Sequence, residues 1–306
     1  MTQAATTEAS LREAGAAQES YESQSYLQLS WRRLRRQRGP MLALAALIAI
    51  CVMTIASPWL DESLLHIDPN RGLISERFQA PSAQHFLGTD DFGRDQLARL
   101  LVAGRVSLAI GLMVAGISLT FGIAMGLIAG YYPGLIDDGV NAIIQVVLNI
   151  PLLFILILLS TLFHPGVVGL SIIFGITGWP GIARQVRGRV LSERQRDYVL
   201  AALVAGATDL RIMYRHILPN VFSVVLVIAG FGVGGAILGE AGLSYLGLGV
   251  QVPTASWGNM LSNALNYFES AWWMVVAPGA AIVVTVFCIF YFADALRDAL
   301  DPHLQD

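Results

Sequence analysis

Three small groups in this 306-residue sequence hold residue types that can do acid–base or nucleophilic chemistry. Asp90, Arg94 and Asp95 set two carboxylates close to a guanidinium, the raw material of a catalytic acidic cluster. They lie in a polar stretch between apolar runs, where mutual pairing that fixes a short helix explains them better than catalysis does. Gly242, Ser244 and Gly247 put a serine into a glycine-rich turn, but the spacing is GxSxxG and no histidine stands in an apolar run to act as its base. The five histidines (His66, His85, His164, His216 and His303) have no partner at ligand spacing, so no metal is expected. Cys51 and Cys288 both fall in apolar runs, where a thiol acts as a small hydrophobe. All 19 basic residues are arginine. Without lysine there is neither a GxxxxGK[ST] phosphate loop nor Schiff-base chemistry. The chain is expected to need no cofactor and to bind no nucleic acid.

The elements that carry these residues are mostly apolar. The chain is 55% hydrophobic and 13% charged, with a mean hydropathy of +0.60. That composition points to an all-α membrane protein. Six runs are long enough to cross roughly 30 Å of hydrocarbon at about 1.5 Å per residue. They are Met41 to Trp59, Ser107 to Tyr131, Val140 to Phe163, Val167 to Ala183, Val221 to Gly239 and Trp272 to Phe292. Residues 1–40 then form a tail that ends in an arginine cluster, 41–60 the first span, and 61–102 an external loop. Residues 103–295 form the main domain, with a loop at 184–219, and 296–306 a C-terminal tail.

Charge sets the orientation. Trp31 to Arg38 reads WRRLRRQR immediately before the first span, and such a cluster is retained on the cytoplasmic side. Anionic-lipid binding is the alternative use of the same arginines. Met1 to Ser30, rich in Ala, Ser, Glu and Gln, reads as a disordered cytoplasmic tail with no signal-peptide pattern. With six spans both termini are cytoplasmic. Arg184, Arg187, Arg189, Arg194, Arg196, Arg211 and Arg215 then fall inside as well, while the acid-rich stretch Leu60 to Arg105 falls outside.

Gly122, Gly126 and Gly130 form overlapping GxxxG units, and Gly230 with Gly234 and Gly235 with Gly239 repeat the spacing, which lets helix backbones approach closely. Static packing and sliding during transport both fit. Pro151 and Pro278 interrupt backbone hydrogen bonding inside two spans, with Asn149 beside the first. Trp257, Trp272 and Trp273 read as an interfacial aromatic belt at the start of the last span.

The segment Asp197 to Asn220, DYVLAALVAGATDLRIMYRHILPN, is too polar to span and too regular for a floppy loop. Tyr198 to Ala205 has helical composition, Gly206 permits a turn, and Thr208 can cap a second short helix with Asp209 in its first turn. Pro219 is expected to end that helix. The result is a compact knob.

This knob resembles the cytoplasmic loop of binding-protein-dependent ABC importers, whose motif is EAA, three residues, then Gly, with a Leu-Pro pair about a dozen residues on. Ala201, Ala202, Gly206, Leu218 and Pro219 occupy the matching positions, and Leu200 stands where the family has glutamate. The stretches His85 to Leu101, Leu243 to Leu261 and Leu296 to Pro302 are similar, in order, to the C-type permeases of the oligopeptide, dipeptide and nickel importers. The resemblance implies a type I importer permease fold with six spans, in the bacterial inner membrane. It implies that Leu200, Ala201, Ala202, Leu203, Gly206, Ala207, Asp209, Leu210, Arg215, His216, Leu218 and Pro219 form a coupling helix seated in an ATPase groove. It also implies a second, homologous permease as heterodimer partner, two ATPase subunits, an external substrate-binding protein and surrounding membrane lipid. The cargo would be peptides, with nickel chelates, glutathione or antimicrobial peptides as alternatives.

Rival classes fare worse on the residues. A secondary transporter needs ionisable groups at mid-membrane, and Glu240 and Asp137 stand only at span edges in this reading. A channel has no need of a docking loop. An intramembrane enzyme lacks its base.

Overall fold

The computed structural model describes residues 26–59 and 68–300, and its side chains from Trp31 onward. The expected tail at 1–25, residues 60–67 of the external loop, and residues 301–306 of the last tail and motif lie outside the described residues. Everything described is helix or connection, with no strand. In chain order the helices of eight residues or more are α1 (Tyr26–Arg36), α2 (Arg38–Ile55), α3 (Gln96–Tyr131), α4 (Leu135–Asn149) and α5 (Leu152–Phe163). They continue with α6 (Val167–Arg194), α7 (Asp197–Val204), α8 (Asp209–Tyr245), α9 (Trp257–Ala264) and α10 (Trp273–Ala299). Five of these, α2, α3, α6, α8 and α10, are long and apolar enough to cross a membrane, and α4 with α5 makes a sixth crossing if the bent pair counts as one.

Several boundaries differ from the sequence reading, each for a local reason. The third span is not one rod: α4 and α5 meet at 79°. Pro151 has no N–H to continue the helix, and it holds Ile150 extended at φ −87°, ψ 124°. The other expected kink, at Pro278, does not break α10. The Met274 carbonyl that Pro278 cannot serve accepts instead from Gln96 Nε2, at 3.3 Å. Tyr26–Ser30, expected in the disordered tail, belong to α1.

Helix α3 starts at Gln96 rather than at Ser107, because Asp95 caps it by accepting from the Ala98 amide at 2.9 Å. Asp90 and Arg94 pair at 2.7 Å, as expected of that cluster, but the helix that follows is 36 residues long rather than short. Helix α6 runs past Ala183 to Arg194, so most of the supposed arginine loop is helical.

Helix α8 is continuous from Asp209 to Tyr245, and Glu240, in its last two turns, is fully buried. Glu240 accepts from Ser244 Oγ at 2.6 Å and from Ser256 Oγ at 2.7 Å. Ser256 in turn caps α9 through a capping box with Asn259. The tryptophans do not form a belt. Trp257 and Trp273 are buried and donate to the Leu100 and Thr89 carbonyls, and only Trp272 is exposed.

The glycines of α3 explain how the bundle is joined. A Cβ at Gly122, Gly126 or Gly130 would come within 2.6 Å of Ile182, Val186 or Val190 of α6. These three contacts let α3 and α6 pack backbone to side chain along their shared lower half. Gly230 and Gly234 face Ala293 and Phe290 of α10 in the same way.

Candidate functional site

The lower ends of α3, α6 and α8 converge on one apolar cluster: Leu127 and Tyr131, then Val186 and Val190, then Ile212, Met213, Ile217 and Val221. Val199 of α7 is buried in the same cluster, so the knob is built onto the ends of the spans. After α6 ends, Arg196 turns extended (φ −74°, ψ 145°) and α7 begins with Asp197 in its first turn, where a carboxylate favours the helix dipole.

Gly206 ends α7. Its φ is +79°, its amide donates to the Leu203 carbonyl at 3.0 Å, and the Ala207 amide donates to the Ala202 carbonyl at 3.0 Å. That pair of bonds is the Schellman closure, which satisfies two of the carbonyls a helix end leaves free. No atom lies within 4 Å of where a Cβ on Gly206 would sit, so the glycine answers to backbone conformation and not to space.

Thr208 has cap-like backbone angles but makes no side-chain cap bond, contrary to the sequence expectation. Asp209 is used differently. Its carboxylate accepts from the Tyr131 hydroxyl at 2.8 Å and the Tyr132 hydroxyl at 3.0 Å, tying the start of α8 to the end of α3. This bond raises the Tyr132 hydroxyl above its ordinary pKa. The Arg194 guanidinium stands 5.6 Å from the centre of the Tyr131 ring.

A second tie holds α7. The Tyr198 hydroxyl donates to Glu193 at 2.7 Å and receives Asn220 Nδ2 at 3.2 Å. Burial, followed by the bond to Glu193, pushes the Tyr198 hydroxyl up to about 12. Arg187 clamps Asp137 of α4, with Nη2 to Oδ2 at 2.7 Å, and so fixes the neighbouring helix. Sequence reasoning missed Tyr131, Tyr132 and Glu193, whose partners lie on other elements. The paired tyrosines before Pro133 were the available signal.

Pro219 does not end a helix, as the sequence suggested. The chain passes through it from a π-helical stretch, Ile212–Ile217, into the long span. The wider π turn sits where the missing Pro219 N–H leaves the ladder incomplete, and Asn220 Nδ2 bonds the His216 carbonyl at 2.7 Å. Leu218 is half-buried on the cluster, and Arg215 is exposed.

The candidate docking residues therefore divide. Ala202 and Ala207 are half-buried and pack on the apolar cluster, so they face into the knob. Leu200, Ala201, Leu203, Val204 and Leu210 face solvent, Val204 at 89% exposure and Leu210 at 64%. Between α7 and the ends of α3 and α6 lies a cavity of about 560 Å³ lined by Tyr131, Tyr132, Arg194, Leu200, Leu203 and Asp209 among others. The arrangement holds no nucleophile–base pair. It presents an apolar face on a rigid, hydrogen-bonded mount.

The structure is thus a multi-span helical bundle with this mount between α6 and α8. Residues 122–306 match the family model of the binding-protein-dependent transport system inner membrane component, and residues 25–81 match that of the N-terminal TM domain of oligopeptide transport permease C. The chain is 38% identical over 284 residues to the dipeptide transport system permease protein DppC of Bacillus subtilis, covering 92% of this chain and 88% of that protein. It is also 38% identical over 283 residues to the oligopeptide transport system permease protein OppC of Haemophilus influenzae, covering 92% and 90%. Among solved structures, a chain of the inward-facing MetNI methionine ABC transporter shares the fold, with a TM-score of 0.55 and 18% identity, over 66% of this chain and 96% of that one.

The chain belongs to the family of binding-protein-dependent transport system inner membrane components. It is a multi-pass membrane permease subunit of the ABC importer type, with the fold of a type I importer permease.

Proposed function

We propose that this chain forms one half of a peptide translocation pathway and receives the ATPase stroke through the knob at residues 184–219. The observation that carries the reading is the exposed apolar face of Leu200, Ala201, Leu203, Val204 and Leu210 on a mount fastened to α3, α6 and α8. A surface of that kind at the end of a bundle calls for a protein partner. The relatives named for dipeptide and oligopeptide transport support peptides as the cargo. Hydrolysis of ATP falls to separate subunits, since a chain without lysine has no phosphate-loop lysine of its own.

In this reading two ATPase subunits serve a pair of permeases, of which this chain is one and a homologous but distinct chain the other. An external binding protein delivers the peptide. Both termini and Arg184 to Arg215 face the cytoplasm, whereas residues 61–102 and Gly249 to Ser270 face outward, which puts the arginine-rich segments inside. Residues 41–60 form a first span outside a main permease domain at 103–295. A packed mount with an outward apolar face converts ATPase closure into movement of the spans without requiring flexibility in the knob.

The test is reconstitution of the chain with its co-encoded permease, ATPases and binding protein in vesicles. Uptake of a labelled dipeptide should require ATP and the binding protein. Uptake driven by an ion gradient without ATP, or by this permease alone as a homodimer, would overturn the proposal.

A further inference from the structure

The arginine-rich helix α1 is not absorbed by the transport reading. Between Tyr26 and Arg38 there is no acidic residue, and Arg32, Arg33, Arg35 and Arg36 are all exposed. Leu34 alone among its described side chains is fully buried, packed on Ala295 and Ala299 of α10, with Phe292 and Leu296 beside it. Leu34 thus packs on α10 while the described arginines face outward. Arg33, Arg35 and Arg36 have no ion pair among the described residues, and the nearby Asp294 and Asp298 of α10 are exposed without pairing to them.

The height of α1 is set by its neighbours. One residue, Gln37, separates it from α2, an 18-residue apolar span. At the start of α2, Gly39 lies directly against the Tyr291 hydroxyl of α10, and Leu42, one turn in, is 70% exposed, as a lipid-facing residue is. The arginines therefore sit where a bilayer's hydrocarbon gives way to headgroups. Trp31 is 44% exposed there, with the Arg35 guanidinium 6.0 Å from its ring centre. An amphipathic indole at that level is a membrane-interface feature.

From these observations we propose that α1 is an interfacial helix whose Arg33, Arg35 and Arg36 bind the headgroups of anionic phospholipids, fastening the end of α10 to the membrane surface. Charge complementarity selects an anionic occupant, and the single-residue link to a span selects a lipid over a soluble acidic protein. The inference requires α2 to span the membrane, and it stands or falls separately from the peptide reading.

The experiment uses the full transporter complex in vesicles of phosphatidylcholine alone or mixed with phosphatidylglycerol, with bromine on the acyl chains of one lipid at a time. The signal is the Trp31 component of fluorescence quenching, taken as the difference between the parent and Trp31→Phe. Brominated phosphatidylglycerol should quench this component more strongly than brominated phosphatidylcholine at equal fraction, and salt should reduce the difference. The preference should be lost when Arg33, Arg35 and Arg36 are all changed to Gln and kept when they are changed to Lys. The Lys variant separates a loss of binding from a loss of folding. Equal quenching by the two lipids, or no Trp31 quenching by either, overturns the proposal. So does a preference that survives the Gln substitutions, or an acidic protein subunit held at α1 in place of lipid.

Discussion

The two ends of α3, about 54 Å apart at 1.5 Å per residue, are finished in opposite ways. At its start the chain pairs its polar groups largely within itself, although Glu240 Oε2 is buried without a hydrogen-bond partner. Asp95 caps the helix and bonds His85 at 2.9 Å, Asp90 binds Arg94, and Trp257 is buried with its indole N–H on the Leu100 carbonyl. Glu240, Ser244, Ser256 and Asn259 form a buried polar knot beside it. At its other end Tyr131 and Tyr132 hold Asp209, and beyond that bond the knob turns an apolar face to solvent. One end is a core closed by its own side chains, and the other presents an exposed apolar face. Substitutions should therefore act on folding at the first end and on assembly at the second.

The largest effect is expected at the closed end. Trp257→Ala removes a side chain that is 2% exposed and should cost roughly 3–5 kcal/mol, collapsing membrane abundance. Val204→Ser on the knob should leave abundance and thermal unfolding of the purified chain unchanged. Equal loss of abundance in both variants would erase the distinction between the two ends.

Next in size is a charge on the knob's outer face. Leu203→Asp leaves the isolated chain stable, because the side chain is exposed, but sets an unpaired carboxylate into an apolar contact at a cost of several kcal/mol in the complex. The expected outcome is normal insertion with loss of ATPase copurification. Ala202→Asp should differ, because Ala202 packs inward on the apolar cluster, so it should damage the mount as well as the contact. Comparing the unfolding of the two variants sharpens the assignment of inner and outer faces.

A smaller effect is expected at the turn. Gly206→Val places a β-branched residue at φ +79°, costing about 1–3 kcal/mol, while no neighbour obstructs its Cβ. Gly206→Asn should be milder, since asparagine tolerates this region. ATPase stimulation by the loaded binding protein should fall in the order glycine, asparagine, valine. Valine matching glycine would mean that the knob's shape does not matter.

The smallest is Tyr198→Phe, which removes the bond to Glu193 on a partly exposed side chain. Because the folded hydroxyl holds its proton up to about 12 against an ordinary value of 10.0, this bond's contribution is complete below the ordinary value. It is lost as pH rises through the folded value. Parent and Phe variants should differ slightly at neutral pH and converge in strong alkali, as measured by denaturant unfolding.

Much of this contrast was legible in the sequence. Run lengths and composition gave the spanning helices, and the Gly206 turn follows from a glycine closing a helical stretch. What escaped depended on distant partners. The polar start of α3 looked like loop because Arg99 is charged, yet it is buried there, its guanidinium 3.6 Å from Asp90. Pro219 looked like a terminator because proline usually ends a helix, but a π turn and the Asn220 side chain carry the chain past it. The inward aim of Ala202 and the two tyrosines on Asp209 required the ends of α3 and α6 to be in place. Local patterns fix which segments are helices, and packing decides which face of the knob stays open.

The most direct measurement is photo-crosslinking from the knob in the assembled transporter. A p-benzoylphenylalanine at Val204 should form an adduct with an ATPase subunit, and the same residue at Leu112, which is exposed on the side of α3, should not. If Val204 gives no adduct while the ATPase still copurifies, or if both positions crosslink to it equally, the open face of the knob is not the docking surface.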